Sequence, residues 1–297
     1  YDRFGNEVKK KVFKVDWDIT AAEKSGYEHF MIKEICEEPD VLRSVINSRI
    51  KDIKVDISDL SIVESEITNI SKIFIVACGT AYHAGLVGKQ IIEKLVRIPV
   101  EVDIASEFRY KNPIINPGDL VIVISQSGET IDTLFALREA KRLGAKVLSI
   151  VNTVGSSIAR EADNVFYTWA GPEIAVASTK AYNTQLVALY LIALAFAIKK
   201  ETIDEKTALE IMNGMKQIPE LIEEVLYDKQ KLQKFAAQHY NSKSVFFIGR
   251  GLDYALSMEG SLKLKEISYI HSEAYAGGEL KHGTIALIEE GALVVAC

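Results

Sequence analysis

The sequence predicts an α/β protein: a doubly wound parallel sheet flanked by helices, duplicated, with the second copy truncated. Three observations carry that reading. Short runs dense in β-branched residues alternate with helical stretches of about 12–15 residues, the alternation that builds βαβ units. The runs are apolar at successive positions, as expected of strands covered on both faces. A strand–glycine turn–helix order at residues 73–96 recurs at residues 244–268.

Residues 1–14 are polar and basic and read as a linker or edge segment. From Tyr27, the pattern HFMIKEICEEPDVLRSVINSRI predicts two helices meeting near Pro39, because the residue before a proline avoids helical geometry. Residues 1–60 are therefore assigned to a linker and lead-in helices. The first domain, residues 61–203, carries strands at 73–77, 100–104, 120–124, 146–151 and 164–168, with helices at 81–96 and from 131 to 143. A long helix over 178–200 is apolar nearly all round and so central. Residues 204–240 hold two connecting helices, at 205–226 and 229–240. The second domain, residues 241–297, has a strand at 244–248, the turn Gly249-Arg250-Gly251, a helix over 254–268 and a strand at 292–296, within which the sequence stops.

A chain of 297 residues holds two ordinary domains with real cores. With 48% hydrophobic and 26% charged residues it has the composition of a soluble globular protein. A formal net charge of −6 argues against nucleic acid as the main partner. It leaves room for a small anion bound at a local turn. Cys36, Cys78 and Cys297 are odd in number and far apart, with no ligand spacing, so neither a disulfide framework nor a zinc site is expected. A reducing, cytoplasmic setting is the expectation. The most apolar stretch, residues 186–198, is too short for a membrane span. The first residues have no apolar signal core and no initiating Met, which reads as a piece of a longer chain.

The stretch LVIVISQSGET, residues 120–130, organises the rest. A buried strand breaks into Ser125, Gln126, Ser127, Gly128, Glu129 and Thr130, and a helix opens at Ile131. Hydroxyl donors and free backbone N–H groups at a helix start suit an anion. No lysine follows the glycine as it does in nucleotide-triphosphate loops, so a sugar monophosphate fits better. A single hydroxyl there is more simply a helix cap. Three hydroxyls in six residues favour a ligand. Cys78, Gly79 and Thr80 form the turn after the preceding buried strand, also at a carboxyl end, where ligands of such sheets bind; taken alone it reads equally as a plain strand-to-helix turn. Ser178 and Thr179 read as caps of the long helix. Glu259, Lys263 and Glu266 share one face of the helix over 254–268; spacing alone favours a solvated salt-bridge ladder over proton transfer. His282, bracketed by glycines, has room for a catalytic role, whereas His29, His83, His239 and His271 have no such context.

At these residues the chain resembles the isomerase part of the glucosamine-6-phosphate synthases, the glutamine–fructose-6-phosphate aminotransferases. The likeness runs through ACGTAYHAG, ASEFRY, SQSGET, EIAVASTKAYNTQL, LKLKEISYIHSEAY and GELKHG, in that order. SQSGET alone would mark only the wider sugar-isomerase (SIS) domain superfamily. The resemblance implies two flavodoxin-like SIS domains converting fructose 6-phosphate and glutamine-derived ammonia into glucosamine 6-phosphate, in a homodimer, with no metal or organic cofactor. It implies a phosphate site at Ser125, Gln126, Ser127 and Thr130, with Gly79, Thr80 and Ala81 beside it and Val176 lining the sugar pocket. It implies Glu266 as the base moving a proton between the first two sugar carbons, assisted by Lys263, and His282 as the ring-opening residue, supplied by the partner subunit. Ala81 stands where many members have a serine. A glutaminase domain and the carboxyl-terminal tail with a Schiff-base lysine are not in this sequence. This stretch by itself is therefore expected not to make the amino sugar from glutamine. Another SIS-domain sugar-phosphate isomerase or deglycase, and a non-catalytic sugar-phosphate regulator, are the competing classes; the LKLKEIS and GELKHG context argues against the first, and the lack of a basic helix-turn-helix against the second.

Overall fold

The computed structural model describes residues 4–7, 23–51, 54–60, 62 and 64–297; the rest of the linker expected at residues 1–14 lies outside them. Helix α1 (Phe30–Arg49) leads through a two-stranded ribbon, β1 (Ile50–Lys51) and β2 (Lys54–Val55), and a short α2 (Glu64–Asn69) into the first sheet. That sheet and its helices follow as β3 (Ile73–Ala77), α3 (Gly79–Leu95), β4 (Val100–Ile104), α4 (Ala105–Phe108), β5 (Leu120–Ser125), α5 (Ile131–Arg142), β6 (Lys146–Val151), α6 (Ser157–Glu161) and β7 (Asn164–Tyr167). Three longer helices, α7 (Lys180–Lys199), α8 (Glu205–Tyr227) and α9 (Lys229–His239), precede a second unit of β8 (Ser244–Gly249), α10 (Leu252–Ser268), β9 (His271–Ala276) and β10 (Leu293–Ala296).

The first sheet is wholly parallel, in the order β4-β3-β5-β6-β7. Strands β3 and β5 are buried at every position. Their side chains alternate between two cores, as the strand period of two requires. Ile73, Ile75, Ile122 and Ile124 join the layer beneath α3 and α7, and Phe74, Val76, Val121 and Val123 the layer beneath α4 and α5. Chain order reverses between β3 and β5, so the carboxyl ends of these two strands form the topological switch point. The second sheet, β10-β8-β9, is also parallel and repeats the order of the first three strands of the first sheet.

Helix α7 has the length and composition to cross a membrane, yet it is the central helix here, 78% buried over its most apolar window. It lies so close to α3 that a Cβ at Gly88 would come within 2.8 Å of Leu189 Cδ2. Two expectations are corrected. The two helices expected to meet near Pro39 are one, α1, which runs through the proline. An interior proline costs about 3 kcal/mol; burying Leu42, Val45 and Ile46 against α7 and α8 returns about 1.5–3 kcal/mol per side chain. The stretch His271–Ala276, not expected as a strand, is β9 at the edge of the second sheet. Its sequence HSEAYA lacks β-branched residues, and pairing with β8 rather than propensity makes it extended.

Candidate functional site

The turn after β5 is bonded to itself. Ser125 Oγ and Thr130 Oγ1 share a hydrogen bond of 2.9 Å, and Gly128 N–H donates to Ser125 Oγ at 3.1 Å. Glu129 N–H donates to Ser127 Oγ at 3.2 Å, and the Glu129 carboxylate accepts from Ser157 N–H at 2.7 Å, tying the turn to α6. Ser157, through its hydroxyl first and then this N–H, holds the Glu129 carboxyl below its ordinary range. Gly128 has φ +65, and a Cβ there would overlap the Ser156 side chain, so this position needs glycine twice over. Thr130 occupies the N-cap of α5 but does not cap it. Cys78 stands at the N-cap of α3 and does not cap it either. The helix-cap reading of these residues therefore fails, and two uncapped helix starts face one cleft.

That cleft, of about 190 Å³, is lined by Thr80, Ala81, Ser125, Gln126, Ser127 and Thr130, all expected from the sequence. Gly79 sits at its edge as the first residue of α3, with φ +55. Cys78, from the same turn as Thr80, lines it too; Thr133, Ser178 and Gln185 also line it and were not expected there. Gln185 is 3% exposed and its side-chain oxygen has no partner among the described residues, an acceptor waiting for a donor. Among the described residues, no lysine or arginine is in the lining. A larger cavity of about 460 Å³ between α1, α7 and α8 is walled almost entirely by aliphatic side chains and offers no such convergence of polar groups.

Helix α10, from the second unit, is bonded to the cleft residue Thr80. Glu259, 4% exposed, accepts from Thr80 Oγ1 at 2.9 Å, and its other oxygen lies 2.7 Å from His83 Nδ1. Lys263 Nζ donates to Thr80 Oγ1 at 3.0 Å and to Glu266 Oε2 at 2.5 Å, and lies 3.4 Å from Glu259. A solvated ladder is thus ruled out for Glu259, and His83, passed over in the sequence, is its partner. Burial, with Glu259 nearby, raises the Tyr182 phenol above its ordinary value.

Two expected residues are not brought in. Val176 is 98% exposed and lies outside the lining. His282 is exposed in the turn after β9, its backbone N–H on Glu279 O at 2.9 Å, and no bond among the described residues joins it to the cleft. Nor do Ser178 and Thr179 cap α7 through their side chains; the Glu173 carboxylate does, accepting from Thr179 N–H at 2.9 Å and Ala181 N–H at 3.1 Å. No group of three or more metal-ligating side chains occurs among the described residues.

The arrangement can hold a small phosphate monoester on neutral hydroxyls and helix starts, with a carboxylate and an ammonium one hydrogen bond behind it. The chain belongs to the SIS domain family, whose profile matches residues 66–195 and 239–297. It is 62% identical over 296 residues to the glutamine–fructose-6-phosphate aminotransferase [isomerizing] of Caldanaerobacter subterraneus subsp. tengcongensis, covering 99% of this chain and 49% of that protein. The enzyme of that name from Methanosarcina acetivorans is 46% identical over 298 residues, covering 100% of this chain and 48% of that one. Among solved structures, the C-terminal domain of glucosamine-fructose-6-phosphate aminotransferase from Francisella tularensis aligns with a TM-score of 0.88 at 41% identity, covering 92% of this chain and 77% of that one. The chain spans about half the length of the two aminotransferases it matches.

Proposed function

We propose that this chain is the isomerase half of a glutamine–fructose-6-phosphate aminotransferase, acting in the cytoplasm. Its first lobe, residues 61–203, grips the phosphate of fructose 6-phosphate, and its second, residues 241–297, brings the proton-moving groups. Ammonia adds to the sugar's C2 carbonyl and water leaves, giving an imine. One proton then moves from C1 to C2 to yield glucosamine 6-phosphate. Glu266 is the group that takes and returns this proton. Lys263, bonded at once to Glu266 and to Thr80, sets the carboxylate against the cleft. His282 opens the sugar ring from the partner subunit of a homodimer, which accounts for its distance from its own cleft. Val176 lines the sugar end in that assembly, and Ala81 leaves one hydroxyl fewer around the phosphate.

The observation that carries this reading is Lys263 Nζ bridging the cleft residue Thr80 and Glu266. Calorimetric titration with fructose 6-phosphate tests its binding half. Ser127→Ala and Thr130→Ala each remove a donor to a charged group, worth about 1.5–3 kcal/mol, and should weaken binding at least about tenfold. Glu266→Gln should leave binding within about twofold, since it alters the base and not the grip. Equal affinity in wild type and Thr130→Ala would end the assignment.

A further inference from the structure

The loop that carries Ser178 to the cleft has almost no apolar anchorage. Ile174 is 44% exposed and Val176 98%; only Ala177 is buried. Two carboxylates hold the loop instead. Glu173 accepts from Ser178 Oγ at 2.7 Å as well as capping α7. Glu34, from α1, is 2% exposed and accepts the N–H groups of Ile174 at 2.6 Å and Ala175 at 3.1 Å; its other oxygen has no partner among the described residues. The same helix face fastens the start of α7, with Glu37 paired to Lys180 at 2.7 Å and Glu38 accepting from Asn183 at 2.7 Å. A buried carboxylate with one oxygen unmet is costly. Among the described residues, the hydrogen bonds that compensate it come from two backbone N–H groups of a loop with little apolar packing.

We infer that Glu34 is a positioning residue: by holding the N–H groups of Ile174 and Ala175, α1 fixes the loop so that Ser178 meets the sugar, not the phosphate. Ser178 commits its proton to Glu173, so its oxygen is left as an acceptor. A phosphate oxygen is an acceptor too and gains nothing from it, whereas a sugar hydroxyl donates. This rests on the sugar-phosphate reading above. The lead-in helix then belongs to the recognition machinery, although it supplies no side chain to the cleft.

Hydrogen exchange and calorimetry on the 297-residue chain test the inference. In Glu34→Ala, the amides of Ile174 and Ala175 should exchange at least about tenfold faster, while residues 120–130 exchange as in wild type. Affinity for fructose 6-phosphate should fall about tenfold and affinity for inorganic phosphate should not change. Glu34→Gln keeps an acceptor oxygen and should stay within about threefold of wild type. In a Ser178→Ala background, adding Glu34→Ala should change sugar-phosphate affinity by less than about twofold, because the two act through one contact. Should Glu34→Ala not fold, Glu34→Asp, one methylene shorter, carries the same comparison. The inference is overturned by unaltered exchange at Ile174 and Ala175, by parallel loss of both ligands, by Gln behaving as Ala, or by additive losses. A wild-type chain that binds no sugar phosphate would instead overturn the proposed function, and the exchange data would still decide whether Glu34 clamps the loop.

Discussion

The two walls of the cleft are built differently. The wall at the ends of β3 and β5 stands on strands buried at every position and on a turn whose hydroxyls bond to one another. The second, α10, stands behind the lining: it belongs to a three-stranded sheet whose strands are mostly half-buried, and it is joined to the first by Thr80, His83, Glu259 and Lys263. Between the two units lies α9, with no buried residue at all. On the proposed function, gripping and proton transfer are placed on supports of different burial: the phosphate end rests on the core, and the reacting end depends on a few buried polar bonds.

Removing the main bond between the walls should have the largest effect. Glu259→Ala leaves His83, Thr80 and Lys263 facing a hole, and breaking a buried pair of this kind costs about 3–5 kcal/mol. Chemical denaturation should show that loss, with hydrogen exchange in β3 and β5 protected as before. A loss below about 1 kcal/mol would mean that the walls meet without Glu259.

The next effect falls on the polar seam between α1 and α7. Burial foremost, with help from Glu173 and against the bond from Asn183, pushes the Glu38 carboxyl up from 4.5 to about 7. The fold thus holds the proton more tightly than the unfolded chain does. Stability is fully present below about pH 4.5, falls as the pH rises towards 7 and is level above it. The total is on the order of 3 kcal/mol. Glu38→Gln should flatten denaturation midpoints measured between pH 5 and pH 8; an unchanged slope would show that Glu38 does not titrate in that window.

Smaller again is the effect of Gly128→Ala, which must adopt a left-handed backbone and push Ser156 aside, and should destabilise by more than about 1 kcal/mol. It should reduce sugar-phosphate binding with it, and thermal melts run beside the titrations would show whether the two losses travel together. The smallest change is expected on α9, where Leu232→Ser and Phe235→Ser, both exposed, should shift stability by no more than about 0.5 kcal/mol.

What was legible in the sequence was local. Strands β3 to β6 lie within a residue of their expected bounds, because continuous apolar runs fix both burial and direction. The phosphate turn was legible because its hydroxyls are contiguous with such a strand. What escaped was joined over long distances. His83 meets Glu259 across 176 residues, and Glu34 meets Ile174 across 140; no periodicity in either segment encodes the other. The continuity of α1 through Pro39 and the strand at His271–Ala276 were missed for the same reason, since packing partners overrode local preference. Val176 was named from the resemblance alone, His282 from its flanking glycines and then from the resemblance, and the single chain leaves both outside the cleft.

The absence of lysine and arginine from the lining of the phosphate cleft has a kinetic side. An anion seated on hydroxyls and peptide N–H groups has no ion pair to break before it departs, and its hold weakens little as salt is added. In the reaction proposed above, each turnover leaves a product with the same phosphate as the substrate, so the grip cannot tell one from the other. A neutral seat lets the occupied site empty quickly, and discrimination passes to the sugar end, where the two molecules differ.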